Sequence, residues 1–127
     1  MNKNIINVIN NIKLAYKYKR LTLVVTHNKL ILNFIHLLYE QGYIRNYEIN
    51  LNNTIKIYLV YYNYLNPVIK DIKIISKPSH KVYYNYNKLK TMNSYFNTFI
   101  LSTSKGLMTQ KEAIKLKQGG EIICIIY

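Results

Sequence analysis

LSTSKGLMTQKEAIKLKQGGEIICIIY, residues 101–127, reads as the end of a strand, a hydroxyl-rich turn, a short helix and a last strand. The apolar residues from Thr98 to Leu101 run into Ser102, Thr103, Ser104, Lys105 and Gly106, and Gly106 supplies a position able to take positive φ. Thr109 is placed to cap an amphipathic segment reaching Gln118, with Glu112 three positions on completing a capping box. Gly119-Gly120 interrupts, and Glu121 to Tyr127 forms the final strand, in which Cys124 reads as a buried small hydrophobe and not a nucleophile. The hydroxyls of Ser102, Thr103 and Ser104 both donate and accept, as a ribose 2′-hydroxyl or a phosphate oxygen requires, and Lys105 adds charge. The positive end of the following helix is expected to point near this turn, making an anion site. The same residues also fit an ordinary surface turn. Ser102 and Lys105 have the Ser-x-x-Lys nucleophile spacing, but that motif needs a serine opening a helix and Ser-Asp-Asn and Lys-Thr-Gly partners, neither of which occurs here.

Upstream, Ile5, Ile9, Ile12 and Tyr16, with Val8 and Ala15, mark one face of a helix. Lys13, Lys17, Lys19 and Arg20 crowd its end, where cations meet the negative pole of the dipole. Leu21 to Thr26 is a β-branched run and predicts a strand. Asn28 can cap a second helix with Ile31, Phe34, Ile35 and Leu38 on its apolar stripe, widened by Leu30 and Leu37, and Gly42 ends it as a left-handed cap. Within it, His36 reads as a partly exposed or satisfied helix residue. Strands are expected from Tyr43 to Ile49 and from Thr54 to Leu65, joined by the polar turn Asn50 to Asn53, with Asn66-Pro67 as punctuation. Further strands are expected from Ile69 to Ile75 and from Lys81 to Tyr84 around a break at Ser76-Lys77-Pro78-Ser79. Residues 85–95 form a helix or a long connection. The fold class is therefore α/β (α+β) in two small packed subdomains. Residues 1–66 run helix, strand, helix, strand, strand; residues 67–127 are mostly β with a short helix.

The chain has 127 residues, Lys+Arg 18 against Asp+Glu 5, net charge +13, half of its residues hydrophobic, and 14 Tyr with no Trp. A cation excess of this size is tolerable when a polyanion neutralises it, which points to nucleic acid or, alternatively, to an anionic membrane surface met by the basic first helix. Half-apolar composition excludes intrinsic disorder. One cysteine excludes an internal disulfide, and scattered His27, His36 and His80 give no zinc spacing, so neither metal nor cofactor is expected. No apolar run is long enough for a membrane span, and the N-terminus lacks a signal or transit pattern, so the chain is read as mature and in a reducing compartment. The excess of Lys over Arg, with abundant Asn, Ile and Tyr, matches AT-rich codons and suggests an organelle's genome or an AT-rich bacterium's. Lysine is a point charge without arginine's planar fork, so the basic surface suits phosphate contacts better than bidentate base reading.

STSKG at 102–106, MT at 108–109, Ala113 and GGEIIC at 119–124 together resemble, with matching spacing, the C-terminal signature of the bacterial-type small-subunit ribosomal protein eight family. ISKPSHKVYY at 75–84 is similar to the family's Ser-Arg-Pro-Gly segment and following Tyr, with Lys77 for the Arg and Ser79 for the Gly. EQGYI at 40–44 and the order of N-terminal elements are similar to its first domain, and Asn97 stands where a Gly is usual. The resemblance implies a two-domain ribosomal protein with no catalytic activity that binds the central domain of the small-subunit RNA, touches neighbouring small-subunit proteins and takes no small-molecule substrate. It implies that Ser102, Thr103, Ser104 and Gly106 contact the RNA, that Glu121 orients their loop or accepts from an RNA group, and that Ser76, Lys77 and Tyr83 share that face. Lys13, Lys17, Lys29, Lys77, Lys81, Lys105 and Lys111 are the expected phosphate contacts, and Tyr83 is either a stacking residue or a core residue.

Overall fold

The computed structural model describes residues 3–63, 66–92 and 97–127, the side chain of Lys3 excepted. The expected ends of two segments, at Leu65 and at Tyr95, lie outside the described residues. The chain forms two compact units, Lys3–Lys70 and Asp71–Tyr127.

In the first unit, α1 (Lys3–Lys17), β1 (Thr22–Thr26), α2 (Lys29–Glu40), β2 (Asn46–Ile49) and β3 (Thr54–Tyr58) follow one another. The three strands make an antiparallel sheet in the order β1-β3-β2. Ile5, Val8, Ile9, Ile12, Ala15 and Tyr16 of α1 are buried, as are Ile31, Phe34, Ile35, Leu37 and Leu38 of α2 and Ile55 and Ile57 of β3. The helical period of 3.6 and the strand period of 2 thus meet in one core. The apolar face of α1 is spent in this core, so its use on lipid would require unpacking it.

Asn28 caps α2, its Oδ1 accepting from Leu30 N–H at 3.0 Å. Both helices end in the same hydrogen-bond pattern. Lys19 N–H donates to Tyr16 C=O and Arg20 N–H to Ala15 C=O; Gly42 N–H donates to Tyr39 C=O and Tyr43 N–H to Leu38 C=O. Each pair closes around one left-handed residue, Lys19 at φ 56° and Gly42 at φ 80°. Tyr16 fastens the unit internally, donating to Tyr43 C=O at 2.6 Å and accepting from Val60 N–H at 3.4 Å. The strand expected from Thr54 to Leu65 ends at Tyr58; β4 (Tyr61–Tyr62) then pairs with β5 (Asn66–Pro67) as a separate two-stranded ribbon. Asn63 at φ 51° turns the chain there, and Pro67 lies at an edge, where its missing N–H is harmless.

The second unit contains β6 (Ile72–Ile74), β7 (Tyr83–Tyr84), α3 (Tyr86–Thr91), β8 (Thr98–Thr103), β9 (Gly106–Thr109), α4 (Gln110–Lys115) and β10 (Gly120–Ile126). Its sheet runs β6-β10-β8-β9, and β7 also pairs with β10. The connection after Tyr84 is helical because Asn85 caps it, Oδ1 accepting from Lys88 N–H at 2.9 Å. Leu89, Leu101, Met108, Ala113 and Ile122 form the buried cluster under α3 and α4.

Gly119 and Gly120 are fixed by close approach. A Cβ at Gly119 would sit 2.7 Å from the Tyr84 carbonyl oxygen and 2.8 Å from Asn85 Cα; one at Gly120 would sit 2.2 Å from the Ser102 carbonyl oxygen. The start of β10 is threaded between two backbones, and only hydrogen fits. Gly120→Ala is expected to lower stability by about 3 kcal/mol in urea denaturation, because backbone must move on overpacking. Gly42 has open space, so Gly42→Ala should cost only the left-handed backbone penalty of about 1–2 kcal/mol.

Burial pushes the Tyr16 phenol from 10.0 to about 12, against the smaller opposing effect of the Val60 N–H, and pushes the Cys124 thiol from 9.0 to about 12. Both groups lose protons more readily in the unfolded chain. The stability they support is complete below pH 9 and falls as pH rises toward 12. Thermal melts across that window should show the fall, with a shallower slope in Tyr16→Phe and in Cys124→Ala.

Candidate nucleic-acid interface

Residues paired across antiparallel strands share a sheet face. Register places Glu121 of β10 opposite both Ser102 of β8 and Tyr83 of β7, and Ser102 opposite Leu107 of β9. Leu107, Ser102, Glu121 and Tyr83 therefore form one row across four strands. The other face carries buried Leu101, Met108 and Ile122. Tyr83 is 65 % exposed, which decides against a core role for its ring.

The row ends in the β8–β9 hairpin turn, which is tighter than the five-residue loop expected. Ser102 and Thr103 belong to β8 and Gly106 to β9, leaving Ser104 and Lys105 as the connection. Gly106 adopts φ 110°. Thr103 Oγ1 accepts from Lys105 N–H at 3.1 Å and donates to Gly106 C=O at 3.1 Å. Ser104 Oγ donates to Gln118 Oε1 at 3.1 Å. The turn is thus tied internally and braced from the end of α4, with Ser104 and Lys105 exposed.

Two sequence expectations change here. Thr109 does cap α4, accepting from Glu112 N–H at 3.4 Å. Yet β9 separates that helix start from the turn. Thr109 pairs with Ile100 while Gly106 pairs with Thr103, a displacement of about 10 Å along the strand. The end of α4 approaches the turn instead, through Gln118, and it closes in a left-handed Lys117 at φ 55°, with Lys117 N–H donating to Ile114 C=O and Gln118 N–H to Ala113 C=O. Ser76 is fully buried. Its hydroxyl accepts from Val82 N–H at 3.0 Å and lies 3.4 Å from Val82 C=O, so it organises the 76–82 loop and presents no side chain to a ligand. Ser102 lies within a strand and does not open a helix, in keeping with the sequence reading against a Ser-x-x-Lys nucleophile.

Lys77 and Lys81 are exposed on that loop. Lys77 and His80 exchange N–H and C=O bonds at 2.9 and 3.0 Å around Pro78-Ser79, and Ser79 is not among the positive-φ residues, so the turn closes without glycine. Lys111 is exposed on α4. Lys13, Lys17 and Lys29 belong to the first unit, Lys13 half-buried and the others exposed. Gln118, the brace of the turn, was not singled out by sequence reasoning; its position just before Gly119-Gly120 was the available signal.

Cys124 is buried and protonated at neutral pH, with no nucleophilic character. His36 is satisfied, Nε2 lying 2.8 Å from Glu40 one turn on and Nδ1 2.8 Å from Tyr47 Oη. Among the described residues no three His, Cys, Asp or Glu side chains gather at metal-binding range, and no helix is long and apolar enough to cross a membrane.

The model of the ribosomal protein S8 family matches residues 3–127. This chain belongs to the ribosomal protein S8 family. It is 35 % identical to small ribosomal subunit protein uS8m of Acanthamoeba castellanii, covering 92 % of this chain and 93 % of that one. It is 32 % identical to uS8 of Citrifermentans bemidjiense, covering 100 % and 98 %, and 37 % identical to uS8 of Dictyoglomus turgidum, covering 97 % and 95 %. The bacterial-type resemblance carried by residues 75–84 and 102–124 is thereby established over nearly the whole length.

Thr103→Val removes the turn's internal acceptor and donor at a half-exposed position. It is expected to cost about 1 kcal/mol in denaturant unfolding and to speed amide exchange at Lys105 and Gly106.

Proposed function

We propose that this chain is a structural constituent of the small ribosomal subunit, that it binds the central domain of the small-subunit RNA directly, and that it supports folding of that RNA during assembly for translation. The observation that carries the reading is the braced turn at Ser104-Lys105, continuous with the row Ser102, Glu121 and Tyr83, on a chain of net charge +13. RNA helices expose 2′-hydroxyls and phosphates along a shallow minor groove. A tight turn with an outward hydroxyl and backbone amides reaches such a groove, and being fixed beforehand it loses little entropy on binding.

In this reading Ser102, Thr103, Ser104 and Gly106 supply the turn's contacts. Thr103 acts by holding the turn's shape; Ser104 and the backbone of Gly106 meet the RNA. Glu121 orients the turn or accepts from an RNA donor. Lys77, Lys81, Lys105 and Lys111 neutralise phosphates, while Tyr83 stacks on a base or ribose. Lys13, Lys17 and Lys29 serve a second stretch of phosphates from the first unit. Neighbouring small-subunit proteins are the other partners. The compartment is a ribosome of an AT-rich organelle or bacterium, a reading supported by relatives of both mitochondrial and bacterial name.

Ser104→Ala combined with Lys105→Ala is expected to weaken binding to a central-domain RNA fragment by about tenfold or more, while the chain stays folded, loss of the Ser104–Gln118 bond costing about 1 kcal/mol or less. The lost phosphate contact should also reduce the slope of log K against log salt by roughly 0.7–0.9. Unchanged affinity in filter binding would remove the turn from the interface.

A further inference from the structure

A groove of about 360 Å³ lies in the first unit, between α1 and the edge of its sheet. Val8, Val25 and Ile31 contribute buried apolar surface, and Asn4, Asn7 and Asn11, spaced three and four along α1, form an amide-bearing wall. Among the described residues, none that lines it is Lys, Arg, Asp or Glu, although the chain as a whole is strongly cationic.

Among the described residues β1 pairs with β3 alone, which leaves its other side as a sheet edge. Leu59 N–H donates to Leu21 C=O, and His27 N–H donates to Asn53 C=O. In an antiparallel ladder the bonded positions alternate. The residues at 21, 23, 25 and 27 therefore face β3, whereas the backbone N–H and C=O groups of Thr22, Val24 and Thr26 project from the edge. Val24 and Thr26 also line the groove. A strand laid beside β1 would meet these groups at the two-residue period. Every second side chain would drop toward Val8, Val25 and Ile31, with the flank of α1 alongside.

We propose that this edge receives an extended, predominantly uncharged segment of a neighbouring protein, which adds a fourth strand to the sheet. No described lining residue offers a cation within the groove, so an uncharged peptide strand fits it better than a phosphate does. An open edge with alternate unpaired backbone groups is a template for strand pairing, and no proline or inward charge blunts it. The inference rests on the ribosomal reading for the identity of the neighbour's assembly.

Asn7→Cys labelled with a benzophenone maleimide, followed by incorporation into small subunits, tests it. Cys124 is buried and does not compete for the label. Sedimentation with small subunits reports on the ribosomal reading by itself. Given incorporation, irradiation should yield a cross-link to a peptide of another protein. Hydrogen exchange of segment 21–27 should slow on incorporation by about tenfold or more. Val24→Pro removes only an outward donor and should reduce the cross-link about tenfold while preserving the fold. If that variant does not fold, the exchange measurement on the Asn7→Cys chain decides. A cross-link to RNA or to a second copy of this chain, no cross-link at all, or unchanged exchange at 21–27 would overturn the proposal.

Discussion

The close passage of Gly119-Gly120 between the backbone of Tyr84-Asn85 and that of Ser102 is the constraint on which the second unit depends. β10 pairs with β6, β7 and β8, so Ser102, Glu121 and Tyr83 take their places in the row from that strand. Glu121 is adjacent to the glycine pair, and its two cross-strand neighbours are Ser102 and Tyr83. A side chain at either glycine would push β7 or β8 away and break the row at its centre. The same approach delivers Gln118, one residue before the pair, to Ser104.

Both units hold some of their cations over aromatic rings. In the first, Arg45 and Lys56 flank the Tyr58 ring at 5.5 and 5.3 Å, and the carboxylate of Glu40 serves His36. In the second, Lys88 sits 4.0 Å over Tyr84, whereas Lys77, Lys81 and Lys105 stay on exposed turns. Cations held over rings are partly committed to the fold; those on turns are available to phosphate. The high tyrosine content is thus physically linked to the lysine content, because aromatic faces help to accommodate charge that five carboxylates cannot balance.

Periodicity made much of this legible. The buried faces of α1 and α2, the Asn28 cap, the Gly42 stop and the β-rich second half follow from local pattern, since the apolar period and the capping chemistry act within a few residues. Contacts between distant segments were not legible. Ser76 looks like a surface serine until Val82, six residues on, comes back to meet its hydroxyl. No strand was legible between the turn ending at Gly106 and the helix cap at Thr109, yet residues 106–109 pair with β8, and that pairing moves the α4 start away from the turn. Left-handed Lys19 and Lys117 carry no glycine signal; each sits within the hydrogen bonds that close its helix end. Tyr83 in a strand was undecidable until the sheet showed which face it occupies.

The central claim is that the braced turn of β8 and β9, with the row behind it, grips structured RNA. Amide chemical-shift changes of the full chain titrated with a central-domain RNA fragment test it most directly. The account predicts that the largest changes fall at residues 102–106 and at Lys77, Lys81 and Tyr83, and that they fade as salt is raised. Binding that leaves the amides of residues 102–106 unmoved, or no change anywhere at low ionic strength, would contradict it.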